Sequence, residues 1–201
     1  MSDSAQLPPA AVLLRYQVAD FDAWKTVFDA NEPKRVESGF LAHHVNRAED
    51  DPNRLSVYFA VADRDEFQAY ADSDEVKALM QKAGVNSQPE FMWVTPVREA
   101  VVWDRELPAM ITSHQVEDFD VWLAGFDAGA GIRDQAGMVG EAVNRSVDDP
   151  SMVLVYLQAE TFDALRGLAR SSDLRTAMLE SGVRSEPEFS YHTGGWGKRY
   201  Q

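Results

Sequence analysis

Four histidines carry the most obvious chemistry in this chain: His43, His44, His114 and His192. Histidine is the side chain whose ordinary proton affinity lies nearest neutral pH, and a neighbouring carboxylate raises its basicity or fixes its tautomer. His43 and His44 are adjacent, so in a strand they face opposite ways and only one of them enters a given cavity. Glu141 is a carboxylate candidate, and His114, Glu141 and His192 would make a two-histidine, one-carboxylate metal set if their strands were neighbours. Their spacing matches no metal motif, and the reading here is no metal and no cofactor. Aromatic residues in strand-like runs, Tyr16, Tyr58, Trp93, Tyr156 and Tyr191, together with His192, are candidates to hold a planar substrate. Each has a plainer reading as wall or packing residue. There is no G-x-S-x-G, P-loop or G-x-G-x-x-G, so nucleophile-elbow and nucleotide-binding signals are missing.

The elements that would position these groups come twice. "VADFDAW", 18–24, returns as "VEDFDVW", 116–122, and 17–91 pairs with 115–189 without insertion or deletion at about 28 identities. A period of 98 is domain-sized, far beyond the roughly 20–50 residues of stacked repeats. None of the histidines is repeated. His43 pairs with Glu141, His44 with Ala142, His114 with Tyr16 and His192 with Val94. Residues kept in both copies serve the scaffold by this logic, and polar residues that differ mark where a site has specialised. Tyr58 and Tyr156 recur, as do Asn46–Arg47 and Asn144–Arg145 before a turn.

Each copy reads β-α-β-β-α-β. A β-rich run, 11–18, leads to Asp20, whose carboxylate suits a helix N-cap. Phe21, Trp24, Val27 and Phe28 then line one helical face. Pro33, and Gly129 with Gly131 in the other copy, predict a break in that helix. Strands at 40–47 and 55–61 flank the turn "EDDPN". A second helix over 63–82 is expected to be interrupted near "DSDE", 72–75, with Gly84 as its stop. A last strand over 90–96 closes the unit. The expected division is 11–97 and 109–196, with 98–108 as linker, where "AVVW", 100–103, reads as an extra strand. A sheet with helices on one face must cover the other, so the two copies are expected to pair as an intramolecular pseudo-dimer, with further oligomerisation left open.

Composition narrows the partners. A formal charge of -14 with no basic patch argues against nucleic acid and anionic membranes. No apolar run approaches a membrane span, and the absence of cysteine removes disulfides and thiolate chemistry. "MSDSAQLPPA" lacks the order of a signal peptide, which leaves a cytoplasmic location as the expectation.

The element order, "GFL" opening the second strand, "VNRAEDDPNRLSVYF" for the hairpin and "SDEVKALMQKAGV" for the second helix resemble the dimeric α/β-barrel superfamily. The nearest resemblance is to antibiotic-biosynthesis-monooxygenase-like and stress-barrel-like domains. It implies an α+β fold of two tandem ferredoxin-like units forming one barrel. It also implies a small-molecule enzyme, a cofactor-independent monooxygenase or cyclase-like protein acting on an aromatic or polyketide-type substrate. A base such as His44 or His114 would deprotonate a phenol, in a pocket between sheet and helices or between the two sheets. The alternative is a non-catalytic ligand-binding or stress-associated protein of the same fold. A pseudo-dimer in which one half keeps a site and the other has become scaffold is a third.

Overall fold

The computed structural model describes residues 7–200. Most of the N-terminal segment read above for targeting lies outside them. The first copy supplies β1 (Ala10–Gln17), α1 (Phe21–Ala30), α2 (Glu32–Glu37), β2 (Phe40–Ala48), β3 (Arg54–Val61), α3 (Arg64–Ala71), α4 (Asp74–Lys82) and β4 (Glu90–Ala100). The second supplies β5 (Leu107–Gln115), α5 (Phe119–Ala128), α6 (Ala130–Gln135), β6 (Met138–Ser146), β7 (Met152–Ala159), α7 (Phe162–Arg170), α8 (Ser172–Glu180) and β8 (Glu188–Arg199). The repeated β-α-β-β-α-β order is present in both.

The chain divides into two compact units. The first runs to Val94 and takes back the chain from Trp196 onward; the second is Thr95–Gly195. In the first unit β1 lies between β3 and β4, and β2 pairs with β3, all antiparallel. In the second, β5 lies between β7 and β8, and β6 pairs with β7.

Local chemistry sets the helix boundaries. Asp20 and Asp118 accept from the backbone N–H of Ala23 and Val121 at 2.8 and 2.9 Å, so the repeated Asp-Phe-Asp phrase is a side-chain N-cap followed by the first inward residue. Trp24 and Trp122 follow one turn later and are almost wholly buried. The expected breaks occur at Asn31 and Gly129, where α1 gives way to α2 and α5 to α6. The second long helix is likewise two: Ser73 and Ser171 cap α4 and α8 through their hydroxyls.

One expectation changes. "AVVW" is not a strand of its own, because β4 continues to Ala100 and the chain then leaves regular structure. Val102 is held by the Gln158 side chain, whose Oε1 accepts from Val102 N–H at 2.8 Å and whose Nε2 donates to Val102 C=O at 3.1 Å. That fully buried amide needs the room left at Gly140, where a Cβ would stand 2.2 Å from Gln158 Oε1. A side-chain amide thus satisfies backbone groups that a strand partner would otherwise have met.

Candidate functional site

The break after α1 turns α2 so that Arg35, in its last turn, packs back over α1. Its guanidinium carbon lies 3.8 Å above the Phe28 ring and its Nη1 donates to Phe28 C=O at 2.6 Å. The side chain is almost fully buried, an expensive place for a charge unless hydrogen bonds and counter-charge replace water. Arg35 Nε donates to Tyr200 Oη at 3.0 Å, and Tyr200 Oη lies 2.6 Å from His43 Nδ1. Tyr200 is brought there by its backbone, which donates to Leu41 C=O at 2.8 Å. Trp196 covers the same corner, edge-on to His43 with ring centres 5.0 Å apart.

Arg35 is one wall of a cavity of about 400 Å³ between the sheet and the helices of the first unit. Volumes of this size hold small organic ligands. Aromatic rings dominate the lining: Trp24, Phe28, Phe40, Phe59, Phe67 and Tyr70. Tyr16 reaches the cavity from β1, and Asn31 donates to Tyr70 Oη at 2.6 Å on its wall. Burial pushes Tyr16 well above the usual phenol range, and Tyr70 and Tyr200 also move up for that reason, so all three hydroxyls keep their protons. Burial, then the Arg35 charge, lowers His43 to about 3. It is neutral at pH 7. Tyr200 Oη accepts from Arg35 Nε and shares a second hydrogen bond with His43 Nδ1. Arg35 Nη2 and His43 Nε2 are buried without a hydrogen-bond partner among the described residues.

The second unit repeats this corner with a different ending. Arg133 stands where Arg35 does, 3.7 Å over Phe126 and bonded to its C=O at 2.7 Å. Here Glu141, at the place of His43, grips the guanidinium with both oxygens: Nε to Oε2 at 2.7 Å and Nη2 to Oε1 at 3.3 Å. The equivalent cavity measures about 60 Å³. Gly125 replaces Val27, and α5 packs directly on the end of α8; a Cβ on Gly125 would be 2.6 Å from Ser181 Cβ. His114, in place of Tyr16, is lowered to about 4 by burial, and neither of its ring nitrogens has a partner.

The structure scatters the other candidates. His44 pairs in register with Tyr58 on the face of the first sheet turned away from its helices, with Asn46 Nδ2 at 3.3 Å from its Nδ1. Burial holds it at about 4. Tyr156 and His192 lie on the corresponding face of the second sheet. Tyr156 is raised by burial, and His192 Nε2 is 3.0 Å from Ser190 Oγ. His44 and His114 therefore belong to different units, and neither lines the large cavity. Trp93 packs edge-on to Phe67 beneath Arg64, and Tyr191 lies under Arg166. Glu141 is committed to Arg133. His192 is on the opposite sheet face from His114 and Glu141, and among the described residues no group of three metal-binding side chains comes together. Of the residues singled out from sequence, His43 and Tyr16 are the ones gathered around Arg35.

Arg35, Trp196 and Tyr200 were not anticipated. Arg35 had a signal: Arg133 repeats it at the same offset, and seven residues after Phe28 it continues the buried helical stripe. Trp196 and Tyr200 lie four apart, on one face of an extended chain, but beyond the end of the repeat.

Residues 14–82 match the antibiotic biosynthesis monooxygenase family. No curated protein matches the chain significantly. Solved structures that superpose include a protein assigned as a monooxygenase from Lactobacillus acidophilus NCFM, 9% identical with a TM-score of 0.66 over 96% of this chain and 100% of that one. An anthrone oxidase-like protein is 13% identical at a TM-score of 0.66, over 94% and 92%. A ferredoxin-fold protein from Listeria monocytogenes related to antibiotic biosynthesis monooxygenases is 6% identical at 0.53, over 96% and 98%. The first repeat thus carries the family match, and the similarity of fold extends over both. No helix of the described residues is long and apolar enough to cross a membrane.

Proposed function

We propose that the first unit is a small-molecule monooxygenase-type site for a planar aromatic substrate with an acidic O–H or C–H, of the phenol or anthrone kind, working without a bound cofactor. The observation that carries this reading is the cavity of about 400 Å³, walled by aromatic rings and bounded at one end by the buried guanidinium of Arg35. The rings hold the substrate plane. Arg35 stabilises the oxygen of the phenolate or enolate formed when the substrate loses its proton, and in a water-poor cavity that interaction is stronger than in bulk. His43, held near 3, is too weak a base to carry the proton away at pH 7, so the proton passes to solvent, and the charge on Arg35 makes the substrate acidic enough to release it. In an anthrone the resulting carbanion adds to dioxygen, forming one C–O bond. The hydroperoxide then loses water, so the ring CH2 becomes C=O and the second oxygen leaves as water. Similarity to the anthrone oxidase-like protein supports the substrate type, and the family match on 14–82 supports the reaction class.

The low basicity of His43 also favours a second reading, a binding protein without turnover. Oxygen uptake with a panel of dihydroxy-aromatic compounds and anthrones separates the two. Uptake that falls with Arg35→Gln supports the oxygenase, whereas saturable binding without uptake supports the binder. His44→Ala and His114→Ala should leave uptake per folded molecule unchanged, because neither residue lines the cavity.

A further inference from the structure

We infer that the first unit's cavity selects ligands bearing an anionic oxygen, which the Arg35 guanidinium receives as that of Arg133 receives Glu141. The second unit, by contrast, has supplied that anion from its own chain and has given up ligand binding. This rests on the reading of the cavity as a ligand site and adds the charge its ligand carries.

The two arginines share their position, their ring contact and their backbone acceptor, so differences around them are informative. At Nε, the Glu141 carboxylate in one unit is answered by the Tyr200 hydroxyl in the other. At Nη2, Glu141 Oε1 has no counterpart on Arg35. Among the described residues no ion pair neutralises Arg35, since Tyr200 and the Phe28 carbonyl are both uncharged acceptors. An unmet donor and a positive charge without an ion pair among the described residues, on an arginine that lines an aromatic cavity, favour an acceptor with negative charge. A carboxylate and a phenolate both supply one. Cavity size points the same way: where the chain provides its own carboxylate the space is about 60 Å³, and where it does not the space is about 400 Å³.

His43→Glu installs the second unit's solution in the first. The test is calorimetric titration of the full chain and of His43→Glu with 2-naphthoate and with 2-naphthalenemethanol, a neutral compound of similar shape, at pH 7. The wild type is expected to bind the carboxylate at least about tenfold more tightly than the alcohol, a modest expectation for one charge-assisted contact. His43→Glu should abolish that preference. Arg35→Gln, should His43→Glu fail to fold, must show the same loss of preference. Equal binding of both compounds to the wild type, or a preference that survives both variants, overturns the inference and leaves the ligand cavity standing. Failure of both compounds to bind the wild type overturns the inference together with the cavity reading.

Discussion

Arg35 and Arg133 began as one residue in a duplicated gene segment and now sit in two different chemistries. In the second unit the guanidinium is closed into an ion pair with Glu141, and Gly125 lets α5 settle on α8. In the first, Val27 takes the place of that glycine, His43 takes the place of the carboxylate, and aromatic side chains line the larger cavity. The scaffold residues that recur, the Asp caps, Trp24 and Trp122, Phe28 and Phe126, build the same corner twice. Two substitutions, one steric and one electrostatic, decide whether that corner is packed shut or left able to receive a ligand.

The comparison can be broken most forcefully with acid. His43, His44 and His114 are neutral in the folded protein, lowered to about 3, 4 and 4, while in the unfolded chain they titrate near the ordinary histidine value of about 6.5. Below pH 6.5 the unfolded state therefore takes up protons that the folded state refuses. The stability these residues provide is complete above that pH and is lost as the pH falls toward 4. Going from pH 7 to 5 should cost about 2 kcal/mol per histidine. Two of the three lie in the first unit, so hydrogen exchange at pH 5 should show its amides losing protection before those of the second. Equal loss in both would remove burial of these histidines as the cause.

Removing the second unit's internal anion comes next. Glu141→Ala leaves Arg133 buried with no carboxylate and should cost about 2–3 kcal/mol in urea unfolding, less than a fully buried pair because Glu141 is partly exposed. His43→Ala at the equivalent place removes no ion pair and should cost less. A smaller loss for Glu141→Ala than for His43→Ala would contradict the electrostatic contrast.

The steric half of the contrast is sharpened by exchanging its residues. Gly125→Val drives a side chain into Ser181 and should destabilise by about 1–3 kcal/mol. Val27→Gly should cost about 1 kcal/mol of helix stability and weaken 2-naphthoate binding as α1 settles toward α4. Unchanged binding in Val27→Gly would mean that something other than this position holds the cavity open.

Much of the architecture was legible before any coordinates, and the reason is the duplication itself. Apolar positions in two copies agree on strand alternation and on the helical stripe, and Asp20, Pro33, Ser73 and Gly84 punctuate the elements by local rules that need no tertiary information. The site was legible only in outline. Looking where the copies disagree did find His43, Glu141, Tyr16 and His114, which occupy two equivalent corners. It could not tell that His44 and His43 serve different faces with different surroundings, since strand parity separates them without saying which side is hollow. It also passed over Arg35, because a residue kept in both copies looked like scaffold. What had changed was the group the arginine holds. Tyr200 and Trp196 come from a terminal segment whose place beside β2 is a long-range pairing, and nothing local in "GGWGKRYQ" encodes it.

The central claim is that one of the two equivalent corners binds an anion and the other does not. Tryptophan marks both, Trp24 in the first cavity and Trp122 in the second. Fluorine NMR of the chain labelled with 5-fluorotryptophan, each signal assigned by single Trp→Phe variants, reads the two sites in one titration with 2-naphthoate. The Trp24 resonance should shift saturably and the Trp122 resonance should stay in place. Saturable shifts at both, or at Trp122 alone, would contradict the account.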